Sequence, residues 1–217
     1  LDPGDTTADA FVKMAYATDW NEFTDALRYY VAPSQNMVFA DQRGNIGYFG
    51  LGRIPVRAKG DGTVPVPGWN SDYEWEGWIP FDQLPQTYKP EEGYIVTANN
   101  KVVADSYPFF ISSSWAPPYR AERIEKLILQ FSDGGSKISI EDMITVQGDQ
   151  TSTQAIELLP YLQSVEPEGE LHAAALDYVV TWDGEMSGES VAASIYTTWF
   201  HQLGMVIFED ELRGDVY

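Results

Sequence analysis

The sequence predicts a mixed α+β fold, with strands mainly in the first half of the chain and helices in the last third. Short β-branched and aromatic runs bounded by turn residues occur before residue 100, whereas apolar residues recur at helical spacing after residue 139. With 217 residues, of which 44% are hydrophobic, the chain is large enough to bury a core. The one candidate boundary is a composition shift near Gly134-Gly135, which a loop would also explain; it separates a strand-bearing part, 1–133, from a helical part, 134–217, of one chain.

The chain begins with two predicted helices between residues 6 and 31. Asp19 followed by Glu22 is typical of a capping box, which predicts that the second helix starts there. Two strand-like runs follow, 36–41 and 46–50, and the turn-forming sequence Gln42-Arg43-Gly44-Asn45 separates them. This pattern predicts a β-hairpin.

Residues 52–90 are rich in proline, glycine and tryptophan and show little regular pattern. A long loop of this kind is either functional or packed over a larger body, and its aromatic content distinguishes it from a disordered linker. Residues 93–98 then form an apolar, β-branched run that predicts a strand. The run ends in the adjacent carboxamides Asn99 and Asn100.

The rest of the chain reads as helical. Ser139 and Asp142 are spaced as a capped helix start, and Asp183-Gly184 and Ser187-Gly188 separate the last two helices. The predicted helices are 121–131, 151–163, 171–182 and 190–203.

The charge balance argues against two classes of partner. Thirty-three acidic residues against 13 basic ones give a formal net charge of −20, which repels nucleic acid backbones and anionic lipid. Such an acidic surface would also suit a high-salt habitat or cation binding, and the sequence leaves these uses open. No uncharged apolar run is long enough to cross a membrane, and the N-terminal residues lack the pattern of a signal peptide.

The common catalytic signatures are missing. The chain has no cysteine, and His172 and His201 lie in predicted helices outside any zinc-binding spacing, so structural roles are favoured for both. The segment 184–188 places its serine one position too late for a nucleophile elbow. The residues alone therefore show no self-contained catalytic machinery. Asn99 and Asn100 allow two interpretations, a simple turn or amide donors directed at a ligand.

The segment Pro33–Tyr48 closely resembles the penicillin amidase family of N-terminal nucleophile hydrolases. Further matching motifs follow in the same order, so that the resemblance covers about residues 19–160. These motifs are Arg53–Arg57, Asp61-Gly62, Pro65–Gly68, Trp75–Phe81, Pro90, Gly93–Asn100, Tyr107-Pro108 and Tyr119–Ile124.

The resemblance implies the fold and part of the active site. Family members are four-layer αββα sandwiches, matured by cutting a precursor into α and β chains, and the new N-terminal serine of the β chain is the nucleophile. Its own α-amino group serves as the base, which would account for the lack of a catalytic histidine. Because residue 1 is Leu, we expect an interior piece of the β chain, inactive alone, with the nucleophile upstream. The position of the oxyanion-hole asparagine matches Asn99, and that of the arginine orienting the site matches Arg123.

The resemblance also implies partners and surroundings. We expect a small acyl amide as substrate, such as a β-lactam or an acyl-homoserine lactone, and the rest of the β chain and the α chain as protein partners. The chemistry requires no cofactor. Many relatives hold a structural calcium, but their aspartate after the Tyr-Pro pair is absent, and Phe109–Ser114 stands there instead. Relatives are commonly periplasmic or secreted.

A rival hypothesis keeps the family architecture without the chemistry. In that case the chain belongs to an inactive binding or scaffold domain, and the aromatic residues between 69 and 78 form a ligand or partner surface.

Overall fold

The computed structural model describes residues 4–135 and 137–209 and divides between Ala116 and Pro117 into two compact units. The first unit contains helices α1 and α2 and the five strands of the described residues; the second contains helices α3 to α7. The mixed fold class, with early strands and later helices, is therefore confirmed. The elements of the first unit are α1 (Thr7–Met14), α2 (Trp20–Leu27), β1 (Gln35–Ala40), β2 (Ile46–Leu51), β3 (Pro55–Arg57), β4 (Trp75–Trp78), a 3₁₀ turn (Phe81–Gln83) and β5 (Gln86–Tyr88).

The predicted hairpin is confirmed as the antiparallel pair β1–β2, which runs in register from Gln35 opposite Leu51 to Ala40 opposite Ile46. Its turn is closed by the Asp41 carboxylate, which accepts hydrogen bonds from the backbone N–H groups of Arg43 and Asn45, both at 2.9 Å. Local side-chain bonding of this kind is why aspartate and asparagine favour turns.

Strand β2 is the central strand of a three-stranded sheet with the order β1-β2-β5, and residues 47–51 are all buried. Gly47 makes room for the Trp20 ring, because a Cβ built on it would lie 2.3 Å from Trp20 Cζ3. Trp20 also stacks on Tyr88, the β5 partner of Gly47, with 5.0 Å between ring centroids. The indole thus joins α2 to the sheet.

The predicted start of α2 is confirmed with one difference. The Asp19 side chain accepts a hydrogen bond from the Glu22 N–H at 3.0 Å, as expected of an N-cap. The Glu22 carboxylate, however, accepts from the N–H and hydroxyl of Thr18 rather than from the backbone of Asp19. Both Thr18 and Asp19, the two residues before the helix, therefore take part in hydrogen bonds with Glu22 in its first turn.

Residues 52–90 carry more regular structure than the sequence predicts. β3 and β4 form a two-stranded sheet, and β5 completes the larger one by pairing with β2. Strands of three or four residues between prolines are too short to show a period of two. Within this chain the aromatic side chains of the segment are mostly outside the core, since Trp69 is 87% exposed and Trp75 is 57% exposed.

The predicted strand at residues 93–98 is wrong. The segment adopts no strand, although Ala98 at its end is buried. β-propensity reflects how well a side chain packs on a pleated surface, and an apolar run becomes a strand only where a ladder partner is aligned with it. Here the link between β1 and the segment is a side-chain hydrogen bond from Asn36 to Thr97, and not a ladder of backbone hydrogen bonds.

The second unit confirms the predicted helices to within three residues at most ends, and the last helix extends further. Ser139 and Asp142 form a complete capping box, and Ser152 and Ser190 cap the helices that begin at Thr153 and Val191. The core lies between α5, α6 and α7 around Val179. The helices are α3 (Tyr119–Phe131), α4 (Ile140–Gly148), α5 (Thr153–Gln163), α6 (Glu170–Val180) and α7 (Val191–Phe208), with a 3₁₀ turn at Asp133–Gly135.

Within the described ranges, no helix has the length and apolar character needed to cross a membrane.

Candidate active site

Asn99 lies in the first unit, in a backbone conformation that few residues adopt. Its φ is +63°, in the left-handed region, and the residue is exposed next to the buried Ala98. Asparagine tolerates this conformation better than other residues with a side chain, apart from aspartate. The turn interpretation of Asn99 therefore describes its backbone.

The backbone around Asn99 is held on both sides. The Ala98 N–H donates to Asn100 Oδ1 at 3.0 Å, and the Asn99 carbonyl accepts from the Ala116 N–H at 2.9 Å. The Asn100 side chain therefore supports the backbone of this segment. Such anchoring sets the direction in which the Asn99 amide leaves the backbone, which is the property required of a donor to a developing negative charge.

A side-chain network missed by the sequence reasoning links the hairpin to this segment. Tyr48 Oη donates to Asn36 Oδ1 at 2.6 Å, and Asn36 Nδ2 donates to Thr97 Oγ1 at 2.8 Å. Burial raises the pKa of the Tyr48 phenol to about 12. Asn36 and Tyr48 both lie in the segment that resembles the family, and a polar residue within a strand was the one available signal.

Two open clefts border Tyr48 and Thr87, with volumes of about 460 and 290 Å³. Val102 and Val103 line both clefts, and Asn100 lines the larger one. A space of several hundred Å³ is in the range that holds a small organic ligand.

Arg123 lies in the second unit, one turn into α3, and its side chain is partly buried, with 20% of it exposed. Nε donates to Asp149 Oδ1 at 2.9 Å, and Nη2 donates to Asp149 Oδ2 at 2.5 Å and to Thr151 Oγ1 at 3.1 Å. Hydrogen bonding from Arg123 lowers the pKa of Asp149, and the same bonds raise the pKa of Arg123. The arginine therefore has a structural role as a link between α3 and residues 149–151.

The remaining candidates have structural surroundings. His172 Nδ1 accepts from the Glu168 N–H at 3.3 Å at the start of α6, and His201 is exposed on α7. Among residues 4–135 and 137–209, no group of three or more histidine, aspartate or glutamate side chains is arranged to hold a metal ion.

Comparison with known proteins identifies the family. The penicillin amidase family profile matches residues 1–217. Penicillin acylase 2 proenzyme of Pseudomonas sp. (strain SE83) is 35% identical over 205 residues, which are 94% of this chain and 26% of that protein. Acyl-homoserine lactone acylase QuiP of Pseudomonas fluorescens (strain Pf0-1) is 34% identical over 222 residues, 96% of this chain and 26% of that protein. This chain thus spans about a quarter of the length of these relatives.

A solved structure confirms the fold. Thermostable penicillin G acylase from Alcaligenes faecalis superposes with a TM-score of 0.63 at 26% identity, covering 85% of this chain and 33% of that one. The fold is accordingly a portion of an N-terminal nucleophile hydrolase. This chain belongs to the penicillin amidase family.

Proposed function

We propose that this chain is the part of an acylase that supplies the oxyanion-hole donor, Asn99, for hydrolysis of an acyl amide. The nucleophile is an N-terminal serine located upstream of this chain in the same precursor. Relatives named as acylases, of which this chain matches about a quarter, support the amidohydrolase activity. The observation that carries the role of Asn99 is its position as an exposed residue with a left-handed backbone, anchored at Ala98 and Ala116.

The chemistry assigns one task to this chain. The serine hydroxyl attacks the amide carbonyl, its proton passes to the α-amino group, and the carbonyl oxygen becomes negatively charged. The Asn99 Nδ2–H group donates to that oxygen, and a preorganised donor of this kind lowers the barrier by roughly 3 to 4 kcal/mol. The protonated α-amino group then gives its proton to the amide nitrogen, the C–N bond breaks to release the amine, and water hydrolyses the acyl-enzyme that remains.

Arg123 takes a positioning role in this proposal. Its two-pronged pair with Asp149 fixes the guanidinium plane, so any further polar group that it orients is held by a rigid donor. Lysine would keep the charge at this position but lose the two-pronged geometry.

The substrate class is an acyl amide of the kind named for the relatives, a β-lactam or an acyl-homoserine lactone. The name proenzyme, borne by one relative, supports maturation from a precursor, with the remainder of the β chain and the α chain as partners. The mature enzyme is periplasmic or secreted, and the isolated chain is inactive. A structural calcium, if the parent protein holds one, draws ligands from outside Phe109–Ser114.

The test uses the full precursor and a chromogenic acyl amide. Asn99→Gly retains the left-handed backbone and removes the donor, so kcat/KM should fall roughly 100- to 1000-fold. Lys89→Gly is the matched control, because Lys89 also has a positive φ, +54°, without a proposed role. Unchanged kcat/KM in Asn99→Gly would sink the assignment. A wild-type precursor that is inactive towards acyl amides would favour the rival scaffold hypothesis.

A further inference from the structure

We propose that Tyr48 and Asn36 are positioning residues for catalysis, acting on Asn99 through the hydroxyl of Thr97. This inference rests on the proposed function of Asn99. It assigns roles to three residues that lie on the hairpin and on the irregular segment, and none of them is required to touch the substrate.

The hydrogen bonds form a chain with a single direction. Tyr48 Oη donates to Asn36 Oδ1 at 2.6 Å, which turns the amide so that Asn36 Nδ2 donates to Thr97 Oγ1 at 2.8 Å. A carboxamide that accepts at one end and donates at the other has one orientation in this chain. Because both distances are short, the position of Tyr48 determines where Thr97 is held.

The hairpin provides a rigid base for this chain. Tyr48 is 8% exposed on the central strand β2, and Asn36 lies on β1 opposite Gly50. Gly50 is required for the arrangement, since a Cβ on it would lie 2.8 Å from Tyr48 Oη. The phenol therefore occupies the space that a side chain on residue 50 would take. Its raised pKa, caused by burial, keeps it protonated and able to donate throughout the neutral range.

The segment that carries Asn99 gains most from such a tether. Residues 93–98 form no strand, so a regular backbone ladder does not set their position. Thr97 lies two residues before Asn99, and the bonds at Ala98 and Ala116 anchor the backbone on either side of the asparagine. Thr97 thus completes a set of anchors that transmits the geometry of the sheet to the donor. A shift of about 1 Å in a catalytic group can cost up to roughly a hundredfold in rate.

The first experiment separates positioning from folding. In the full precursor, Tyr48→Phe and Thr97→Val should each lower kcat about tenfold and leave KM near the wild-type value. Thr97→Ser keeps the hydroxyl and should restore kcat. The matched control is Tyr107→Phe, which removes a hydroxyl bonded to the Gln83 carbonyl in the same unit and should leave kcat unchanged. Equal kcat values in Thr97→Val and Thr97→Ser would overturn the proposal. It would also be overturned if Tyr107→Phe lost as much kcat as Tyr48→Phe.

The second experiment asks whether the chain acts through Asn99. Tyr48→Phe is measured again in the Asn99→Gly background, where the donor is already absent. If Tyr48 positions Asn99, the tenfold effect should shrink to less than about twofold. A full tenfold effect in both backgrounds overturns this inference and leaves the proposed function intact. An unchanged kcat in Asn99→Gly alone overturns the proposed function, and this inference with it.

Discussion

Arg123 and Asp149 form a two-pronged ion pair, with Nε bonded to Oδ1 at 2.9 Å and Nη2 bonded to Oδ2 at 2.5 Å. The pair anchors residues 149–151 to α3, and the neighbouring backbone pairs with residues 184–186 through Ser152 and Met186. Side-chain bonds from Arg123 and backbone bonds to residues 184–186 thus both fix the position of residues 149–152.

Breaking this pair should destabilise the protein. Asp149→Asn leaves a partly buried guanidinium without its counter-charge, and we expect the free energy of unfolding to fall by about 2 kcal/mol. Urea unfolding measures the change. Asp82→Asn is the control, because its pair with Arg28 has a carboxylate side chain that is 79% exposed, and such pairs contribute little. Equal losses in the two variants would contradict a special role for Arg123.

The same pair should make stability depend on acid pH. Arg123 lowers the pKa of Asp149 below its ordinary value of 3.8, so the folded state favours the ionised carboxylate. This stabilisation is complete above the ordinary pKa and is lost as pH falls through the lowered one. Unfolding free energies measured from pH 7 downward should drop less steeply below about pH 4 in Asp149→Asn than in wild type. Identical slopes would argue against the lowered pKa.

Tyr48 should make stability depend on pH in the alkaline range, where stability falls as pH rises. Burial raises its pKa from 10.0 to about 12, so the unfolded state loses the proton first. The contribution to stability is complete below pH 10 and is lost as pH rises through about 12. Phenolate absorbance during titration should show one fewer late-titrating tyrosine in Tyr48→Phe. If Tyr48→Phe instead removed a tyrosine that titrates early and left the late-titrating tyrosine in place, the assignment would be refuted.

Gly47 should tolerate no larger side chain. In Gly47→Ala the added Cβ meets the Trp20 ring at 2.3 Å, so either α2 or the sheet must move. Overpacking of this kind costs about 2 kcal/mol, which thermal unfolding can detect. Gly68→Ala provides the control, because among the described residues no heavy atom other than those of Gly68 and its two chain neighbours lies within 4 Å of the added methyl group. Equal melting temperatures for the two variants would show that Trp20 does not pack there.

Asn99 should respond differently in stability and in activity. Its φ of +63° is costly for a β-branched residue, so Asn99→Val should lose about 1 to 2 kcal/mol of unfolding free energy, whereas Asn99→Gly should lose much less. Both variants remove the amide donor. Activity should therefore fall in both, while the melting temperature falls mainly in Asn99→Val; parallel losses of both properties would point to a purely structural asparagine.

Local chemistry explains which parts of the fold were predictable. The turn at Asp41, the cap at Asp19 and the box at Ser139 each form between residues two to four positions apart. Such contacts depend on the sequence of one short segment. The order of the family motifs, in turn, indicated the family and its fold without any structural information, and the proposed role of Asn99 rests on the same resemblance.

The strand predicted at residues 93–98 shows where this reasoning fails. The run has the composition of a strand, but a strand also needs a partner backbone, which composition cannot supply. Asn36 reaches Thr97 across 61 positions and Arg123 reaches Asp149 across 26. No sequence spacing encodes these pairings, because they depend on how the chain returns on itself.

The sequence by itself determined the hairpin, the helices and their caps, the acidic charge and membership of the family, since each follows from local periodicity, composition or motif order. Only the tertiary structure decided that the backbone of Asn99 has a left-handed conformation and that its segment is anchored rather than paired in a sheet. It also decided that Tyr48, through Asn36, is bonded to Thr97 in that segment. The physical reason is distance along the chain, because a contact between residues remote in sequence exists only once the intervening segments have packed.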